Sequence, residues 1–280
     1  MTQSDLLKSI RKYFWKQNFT EVEVPYLNSS LPLEANIYTF KTTWTHRHQD
    51  YFLPTSPEFA LKKFLTKNNQ NCFAISHCFR DLENEGPNHT PEFLMLEWYE
   101  IGKTYQDLIL STQKFINHFL KIKFTTFNLP QNLPQNEVDF NQYFLNEIEP
   151  SLPRNGGVFI TGYPAFLSPL AESNEGEAKF FLEHSHNAKS IGVSTKKKSL
   201  PSVKIAERFE LYINGIEIAN GCTENTNYKS ILESFNKEKE FRLKNKLPLH
   251  PFDTSFAEDS SRLGIVSGIG FGIDRFLKLL

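Results

Sequence analysis

The segment ERFELYINGIEIANG, residues 207–221, constrains this chain more than any other stretch. Asn214-Gly215 lies between two alternating runs, which is the signature of a two-residue hairpin turn, because both turn positions need positive φ. Such a turn sets the register. Ile213 pairs with Ile216, Tyr212 with Glu217, Leu211 with Ile218 and Glu210 with Ala219. Paired side chains share a face. One face then carries Phe209, Leu211, Ile213, Ile216 and Ile218, and the other carries Glu210, Tyr212 and Glu217. The two carboxylates become diagonal neighbours, roughly 7–8 Å apart between Cα atoms. Like charges so placed repel unless a cation lies between them or water solvates both. A hard cation bridging phosphates, such as Mg²⁺, meets the first condition. A solvated outer face meets the second. Glu224 lies past Asn220-Gly221, where a bend prevents counting faces.

Other segments add polar groups to predicted elements. Residues 4–17 predict a helix, with Leu6, Leu7, Ile10, Phe14 and Trp15 at helical spacing and Ser4 as N-cap. Glu21–Val24 alternates like a strand, and Pro25 stops it. Pro57 opens a helical pattern running to Thr66, and 105–120 predicts another helix. Strands are predicted over 72–80 and 92–99, on either side of the polar loop DLENEGPNHTP. In EFLMLEWY, Phe93, Met95, Glu97 and Tyr99 share one face, and Leu94, Leu96 and Trp98 the other. Both faces carry apolar bulk, so both are expected to be covered. A half-buried Glu97 then needs a fixed Arg or Lys, or a ligand amine. Arg80 ends the preceding strand, where it could meet an anion or pair with Asp81 or Glu83.

The C-terminal run SGIGFGIDRFLKLL places Gly268, Gly270 and Gly272 on one face of a strand. A face stripped of side chains admits another backbone or a flat ligand. Arg275 follows at the start of a helical run, well placed for a phosphate. No βαβ unit surrounds the glycines, so they are not a dinucleotide-binding fingerprint.

Composition narrows the class. With 31 Lys+Arg against 32 Asp+Glu, the net charge of −1 excludes a surface that is basic throughout and wraps nucleic acid. There is no apolar run long enough to span a membrane and no signal-peptide pattern, so a cytoplasmic protein is expected. Three cysteines (Cys72, Cys78, Cys222) make neither a disulfide framework nor a CxxC pair. The 26 Phe residues require a packed interior. Residues 121–200 read as a small helical insertion with exposed loops, and Lys196–Lys198 as a solvated loop. One domain over 1–280 is the simplest organisation.

Together these segments resemble class II aminoacyl-tRNA synthetases, and specifically the lysine branch. Residues 4–25 resemble motif 1, CFR–loop–HTPEFLMLEWY at 78–99 motif 2, and GFGIDRFLKLL at 270–280 motif 3. AERFELYINGIEIANGCTE at 206–224 is similar to the lysyl enzymes' own signature. The resemblance implies an α+β fold, with a flat antiparallel sheet flanked by helices, and a homodimer formed through motif 1. It implies ATP and Mg²⁺ as cofactors. Arg80 would hold the α-phosphate and the substrate carboxylate, and Arg275 the γ-phosphate, as the catalytic pair. Glu83 would meet the adenine amine, His89 the phosphates, and Phe93 the adenine ring, while Ile218 and Gly272 line the nucleotide site. Glu210 and Glu217 would hold the metal. Ser56, Pro57, Glu58, Asn220 and Gly270 would contact the amino acid, and Glu97, Tyr99 and Glu224 would surround its ε-amine.

Motif 1 begins almost at Met1, so the N-terminal barrel of a full lysyl-tRNA synthetase is not expected here. That pattern, with TSPEF at 55–59, MLEWY at 95–99 and LPLHPFD at 247–253, is similar to the elongation factor P lysine ligases. The resemblance implies adenylation of lysine or (R)-β-lysine and transfer to a lysine side chain of elongation factor P, with tRNA a less favoured acceptor and no membrane partner. A minimal lysyl-tRNA synthetase-like enzyme and a non-catalytic regulatory paralogue are the alternatives. Gly270 stands where the β-lysine ligases usually carry Ala and the lysyl-tRNA synthetases Gly. The chain also ends at Leu280, sooner after motif 3 than relatives do.

Overall fold

The computed structural model describes residues 1–82, 86, 90–130, 133–175 and 204–280. The chain runs through helix α1 (Gln3–Lys16), strand β1 (Thr20–Glu21), a hairpin of β2 (Lys41–Trp44) and β3 (Gln49–Phe52), helix α2 (Glu58–Asn68), and the long strands β4 (Cys72–Phe79) and β5 (Glu92–Ile101). Helix α3 (Tyr105–Phe119), strand β6 (Phe124–Asn128), helix α4 (Glu137–Tyr143) and strand β7 (Gly157–Thr161) follow. Then come β8 (Ser173–Glu175), β9 (Lys204–Ala206), the hairpin β10 (Arg208–Ile213) and β11 (Ile216–Thr223), helices α5 (Tyr228–Asn245) and α6 (Ser255–Ser261), strand β12 (Val266–Gly272) and helix α7 (Ile273–Leu277).

Eight strands form one sheet in the order β1-β4-β5-β12-β11-β10-β7-β6. The inner pairings are antiparallel, as expected, but β1 joins β4 and β6 joins β7 in parallel at the two edges. The fold is α+β. The stretch read as a helical insertion supplies two of these strands, β6 and β7. Every residue of the short run GVFIT is buried, so this strand lacks the polar–apolar alternation that would reveal it. The Lys196–Lys198 cluster lies outside the described residues.

Alternation sorts the two faces of the sheet. Phe73 of β4, Leu94, Leu96 and Trp98 of β5, Ile269 and Phe271 of β12, and Phe209, Leu211 and Ile213 of β10 pack against Leu6, Ile10 and Phe14 of α1 and Leu108, Phe115 and Ile116 of α3. Many of the phenylalanines meet here. Phe14 stacks on Phe73 with ring centroids 4.8 Å apart, and Phe115 contacts Phe271 edge-on at 5.3 Å. Edge-on and offset contacts of this kind add to the burial itself. The opposite face of the sheet is covered at one edge by α2, whose Leu61 and Leu65 meet Cys72, Ala74 and Tyr99. Helices α5 and α6 pack together beyond it through Ile231, Phe235, Phe256 and Ala257.

Three local expectations change. Helix α1 is capped by Thr2 and not Ser4: the Thr2 hydroxyl accepts from Asp5 N (3.2 Å) and donates to the Asp5 carboxylate (2.5 Å). Thr2 has an acid three residues on, which makes the reciprocal cap possible. Strand pairing at β1 ends once Val22 N has donated to Phe73 O (2.8 Å), two residues before the expected end at Val24. The hairpin turn forms as read, with Asn214 at φ 52° and Gly215 at φ 79°, and Ile213 opposite Ile216 and Tyr212 opposite Glu217. A β-bulge between Leu211 and Tyr212 then shifts the register by one. Leu211 faces Ala219 and Glu210 faces Asn220, where simple counting put Ile218 and Ala219. Ile218 and Ala219 both join the apolar core. The extra residue reverses the alternation beyond it. Glu217, Asn220, Cys222 and Glu224 consequently all line the same cavity.

Candidate active site

A cavity of about 810 Å³ lies on the sheet face opposite the phenylalanine core. Its floor is the glycine-bearing side of β12, flanked by Met95, Glu97 and Tyr99 of β5 and by Glu217, Asn220 and Cys222 of β11. Gly268 lies opposite Tyr99, and Gly270 opposite Glu97. A methyl group at 268 would come within 2.7 Å of a Glu224 carboxylate oxygen, so only glycine leaves this end open. From Gly268 to Gly272 the strand spans roughly 13 Å at the usual rise per residue. Charge changes sign along that length.

Carboxylates gather at the Gly268 end. Glu97 is buried and accepts the Tyr99 hydroxyl (2.7 Å). Burial pushes the Glu97 carboxyl well above the usual range, Glu58 and Glu224 add to the push, and the Tyr99 hydrogen bond opposes it. Behind them Lys62, 1 % exposed, sets its Nζ 2.6 Å from Glu58 Oε1 and 2.6 Å from Glu224 Oε2. Burial works against the Lys62 charge, but Glu224 and Glu58 outweigh it and hold its pKa above that of an ordinary lysine. Lys62 is thus an internal ammonium bridging two carboxylates. Burial also raises the Glu224 carboxyl, against the opposing pull of Lys62. The Cys222 thiol donates weakly to Glu224 Oε1 (3.5 Å), and burial keeps that thiol protonated.

Arginines gather nearer the Gly272 end. Arg275 opens α7 and donates from Nη1 to the Glu217 carbonyl (2.9 Å) and to Glu217 Oε2 (3.2 Å). Arg80, just past β4, donates from Nε to Thr55 O (3.4 Å), and its guanidinium carbon lies 5.2 Å from the Phe93 ring centroid. Arg208 is not part of this group: it joins the wall from β10 at the other end, opposite Cys222 and so on the Gly268 register, donating to Asn220 Oδ1 (3.0 Å), Ser168 Oγ (2.9 Å) and Glu210 Oε1 (2.6 Å).

The structure therefore brings together Ser56, Glu58, Arg80, Phe93, Glu97, Tyr99, Glu217, Ile218, Asn220, Glu224, Gly270, Gly272 and Arg275 around one cavity. Two of the expected residues stand back from its wall. Pro57 is the N-cap of α2. Glu210 accepts from Arg208 on one oxygen and from Tyr163 (2.7 Å) and Tyr212 (3.3 Å) on the other. Glu83 and His89 lie outside the described residues. Among the described residues no group of three or more His, Cys, Asp and Glu side chains could hold a metal by itself. Two carboxylates still suit an ion that arrives on phosphates. Burial raises the Glu210 carboxyl, Arg208 opposes this and Glu217 adds to it, so a divalent cation near both would relieve a standing repulsion.

Lys62, Arg208 and Glu34 are wall or second-layer groups that spacing and alternation did not single out. Lys62 had one visible signal, an i,i+4 spacing from Glu58 on the same helix face as Leu61 and Leu65. Glu34 and Arg208 had none.

The family model for class II tRNA synthetases (D, K and N) matches residues 1–280. The chain belongs to this class II family. Its relatives include an elongation factor P–(R)-β-lysine ligase of Buchnera aphidicola subsp. Schizaphis graminum, 27 % identical over 100 % of this chain and 90 % of the relative. One from Pseudoalteromonas translucida is 27 % identical over 98 % of this chain and 88 % of its own length. A homologue of that ligase from Aquifex aeolicus is 28 % identical over 98 % and 92 %. No helix among the described residues is long and apolar enough to cross a membrane.

Proposed function

We propose that this chain is an ATP-dependent ligase that activates lysine or (R)-β-lysine as an adenylate and joins it to a lysine side chain of elongation factor P. The observation that carries this reading is the polarity of the cavity, with carboxylates around Lys62 at one end and Arg80 and Arg275 at the other. Such a site suits a molecule with an amine at one end and a carboxylate beside phosphates at the other. The names of the relatives support the acceptor.

In this reading Glu97, Tyr99 and Glu224 bind the ε-amine, Glu58 and Asn220 the rest of the amino acid, and Phe93 stacks on adenine. Arg80 orients the substrate carboxylate against the α-phosphate of ATP, and Arg275 holds the γ-phosphate. The carboxylate oxygen attacks the α-phosphorus, and the bond to the β-phosphate oxygen breaks to release pyrophosphate. The acceptor amine then attacks the adenylate carbonyl, and AMP leaves. The protein contributes positioning and charge neutralisation, with no protein nucleophile. Mg²⁺ would neutralise phosphate charge. Glu217 would hold it at the cavity wall, and Glu210 would reach it only by giving up its Arg208 pair. Residues 1–280 would act as one catalytic domain. Exposed Trp15 on α1 and exposed Tyr26 and Leu27 beyond β1 suit a homodimer contact.

Lysine- or β-lysine-dependent ATP–pyrophosphate exchange is the first expected result, and complete absence from folded protein removes this reading. Elongation factor P and tRNA offered in parallel with labelled amino acid separate the acceptors: labelling of tRNA alone favours a minimal synthetase. Gly270 bears on the amino acid chosen. A methyl group there would meet Met95 Sδ at 3.5 Å and Cε at 3.8 Å, ordinary contacts that leave the fold intact. Gly270→Ala is expected to change the ratio of kcat/KM for lysine over β-lysine by about tenfold, in the direction of β-lysine, since one methylene-sized change is worth about 1–3 kcal/mol. An unchanged ratio would mean that position 270 does not read the amino acid.

A further inference from the structure

The Arg208 guanidinium is held from several directions. Its Nη2 donates to Glu210 Oε1 (2.6 Å), its Nη1 donates to Ser168 Oγ (2.9 Å), and its carbon lies 4.7 Å from the Tyr163 ring centroid. Glu210 is fixed in turn, accepting from the Tyr163 and Tyr212 hydroxyls on its other oxygen. Both tyrosines are buried in a second core that includes Phe140, Phe144 and Ile160. Two of these holds, Ser168 and the Tyr163 ring, are independent of Glu210. From this fixed plane the Nε–H donates to Asn220 Oδ1 (3.0 Å).

That contact decides which way the Asn220 amide faces. A guanidinium has donors and no acceptor, so the amide atom against Nε is the oxygen and not the nitrogen. The Nδ2 group is turned from Arg208, and among the described residues it donates to nothing. Asn220 lines the cavity beside Gly270, between the Gly268 and Gly272 ends of its floor. Without Arg208 the amide is free to turn over and present its oxygen to the cavity instead. Resting on the proposed reading, in which Asn220 contacts the amino acid, we propose that Arg208 is a positioning residue. It locks Asn220 so that the site offers only N–H donors at this point and selects a ligand that places an oxygen there.

A double-mutant cycle tests this, because only residues that act through one another show non-additive losses. Arg208→Lys keeps a cation for Glu210 but loses the planar fork that also reaches Asn220. A purely structural Arg208 is therefore rescued by lysine, and a positioning one is not. Arg208→Lys is expected to keep the melting temperature and to lower kcat/KM for lysine in ATP–pyrophosphate exchange about tenfold. The same substitution made in an Asn220→Ala background is expected to lower it no further. Ser168→Ala, a small change that frees one side of the guanidinium, is expected to cost about threefold, again with no further loss beside Asn220→Ala. This second variant keeps the test decisive if Arg208→Lys does not fold. Losses that multiply with Asn220→Ala, or an Arg208→Lys activity within twofold of wild type, overturn the role of Arg208 and leave the ligase reading standing. Absence of any lysine- or β-lysine-dependent exchange in the wild type overturns that reading, and this inference with it.

Discussion

Replacing Arg275 by alanine is expected to lower lysine-dependent ATP–pyrophosphate exchange by about 10³-fold, the scale on which a fixed charge-stabilising donor in a water-poor site contributes. The fold should survive. Arg275 is partly exposed, and the bonds it loses include those to the Glu217 carbonyl and to the partly exposed Glu217 carboxylate. Solvent-accessible pairs of this kind contribute about 1 kcal/mol. Arg275→Lys keeps the charge but loses the planar fork, so it should recover only a small part of the rate. Exchange rates and thermal melting of the three proteins check this together. Activity within tenfold of wild type for Arg275→Ala would remove the residue from the phosphate site.

Arg242→Met is expected to be the most destabilising single change outside the aromatic core. Arg242 is fully buried in α5, and its Nε pairs with Glu238 Oε1 at 2.6 Å. Its other nitrogens donate to the carbonyls of Pro248, Glu34 and Ile37, and its guanidinium carbon lies 4.6 Å from the Tyr38 ring centroid. Methionine fills much of the volume but leaves Glu238 and three carbonyls without their donor. Breaking a buried pair from one side costs about 3–5 kcal/mol, and a loss of that size lowers Tm by roughly 10 °C in a chain of this length. Urea unfolding measures it directly, and a loss below about 1 kcal/mol would show that water or rearrangement replaces these bonds. Arg242 ties the loop carrying Glu34 to α5, and the same loop is bound to the end of β4 where Tyr38 O accepts from Asp81 N (2.8 Å). Loosening that loop should therefore raise lysine KM in whatever fraction stays folded.

Local alternation makes much of this molecule legible from residue order alone. The two faces of EFLMLEWY separate as read: Leu94, Leu96 and Trp98 enter the core, while Met95, Glu97 and Tyr99 line the cavity. The Asn-Gly turn forms at the expected place with the expected first two pairs. The alternating glycines of β12 share one face of the strand and line the cavity. Strand β7 is not legible in this way, because a strand buried on both faces carries no period-two signal.

The chain by itself determined which side chains share a strand face and where the tight turn falls, because both follow from residue type and spacing over a few positions. It also carried the motifs that relate it to the class II family. The bulge at Leu211/Tyr212 was decided only when β10 and β11 settled between their neighbours in the sheet, and it turned Asn220, Cys222 and Glu224 towards the cavity. Partnering of charges was decided later still. Lys62 on α2 meets Glu224 beyond β11, and Arg242 on α5 meets the loop at Glu34, across 162 and 208 positions of sequence. Electrostatic pairing depends on distance in space and on burial, and neither is set until helices have packed on the sheet.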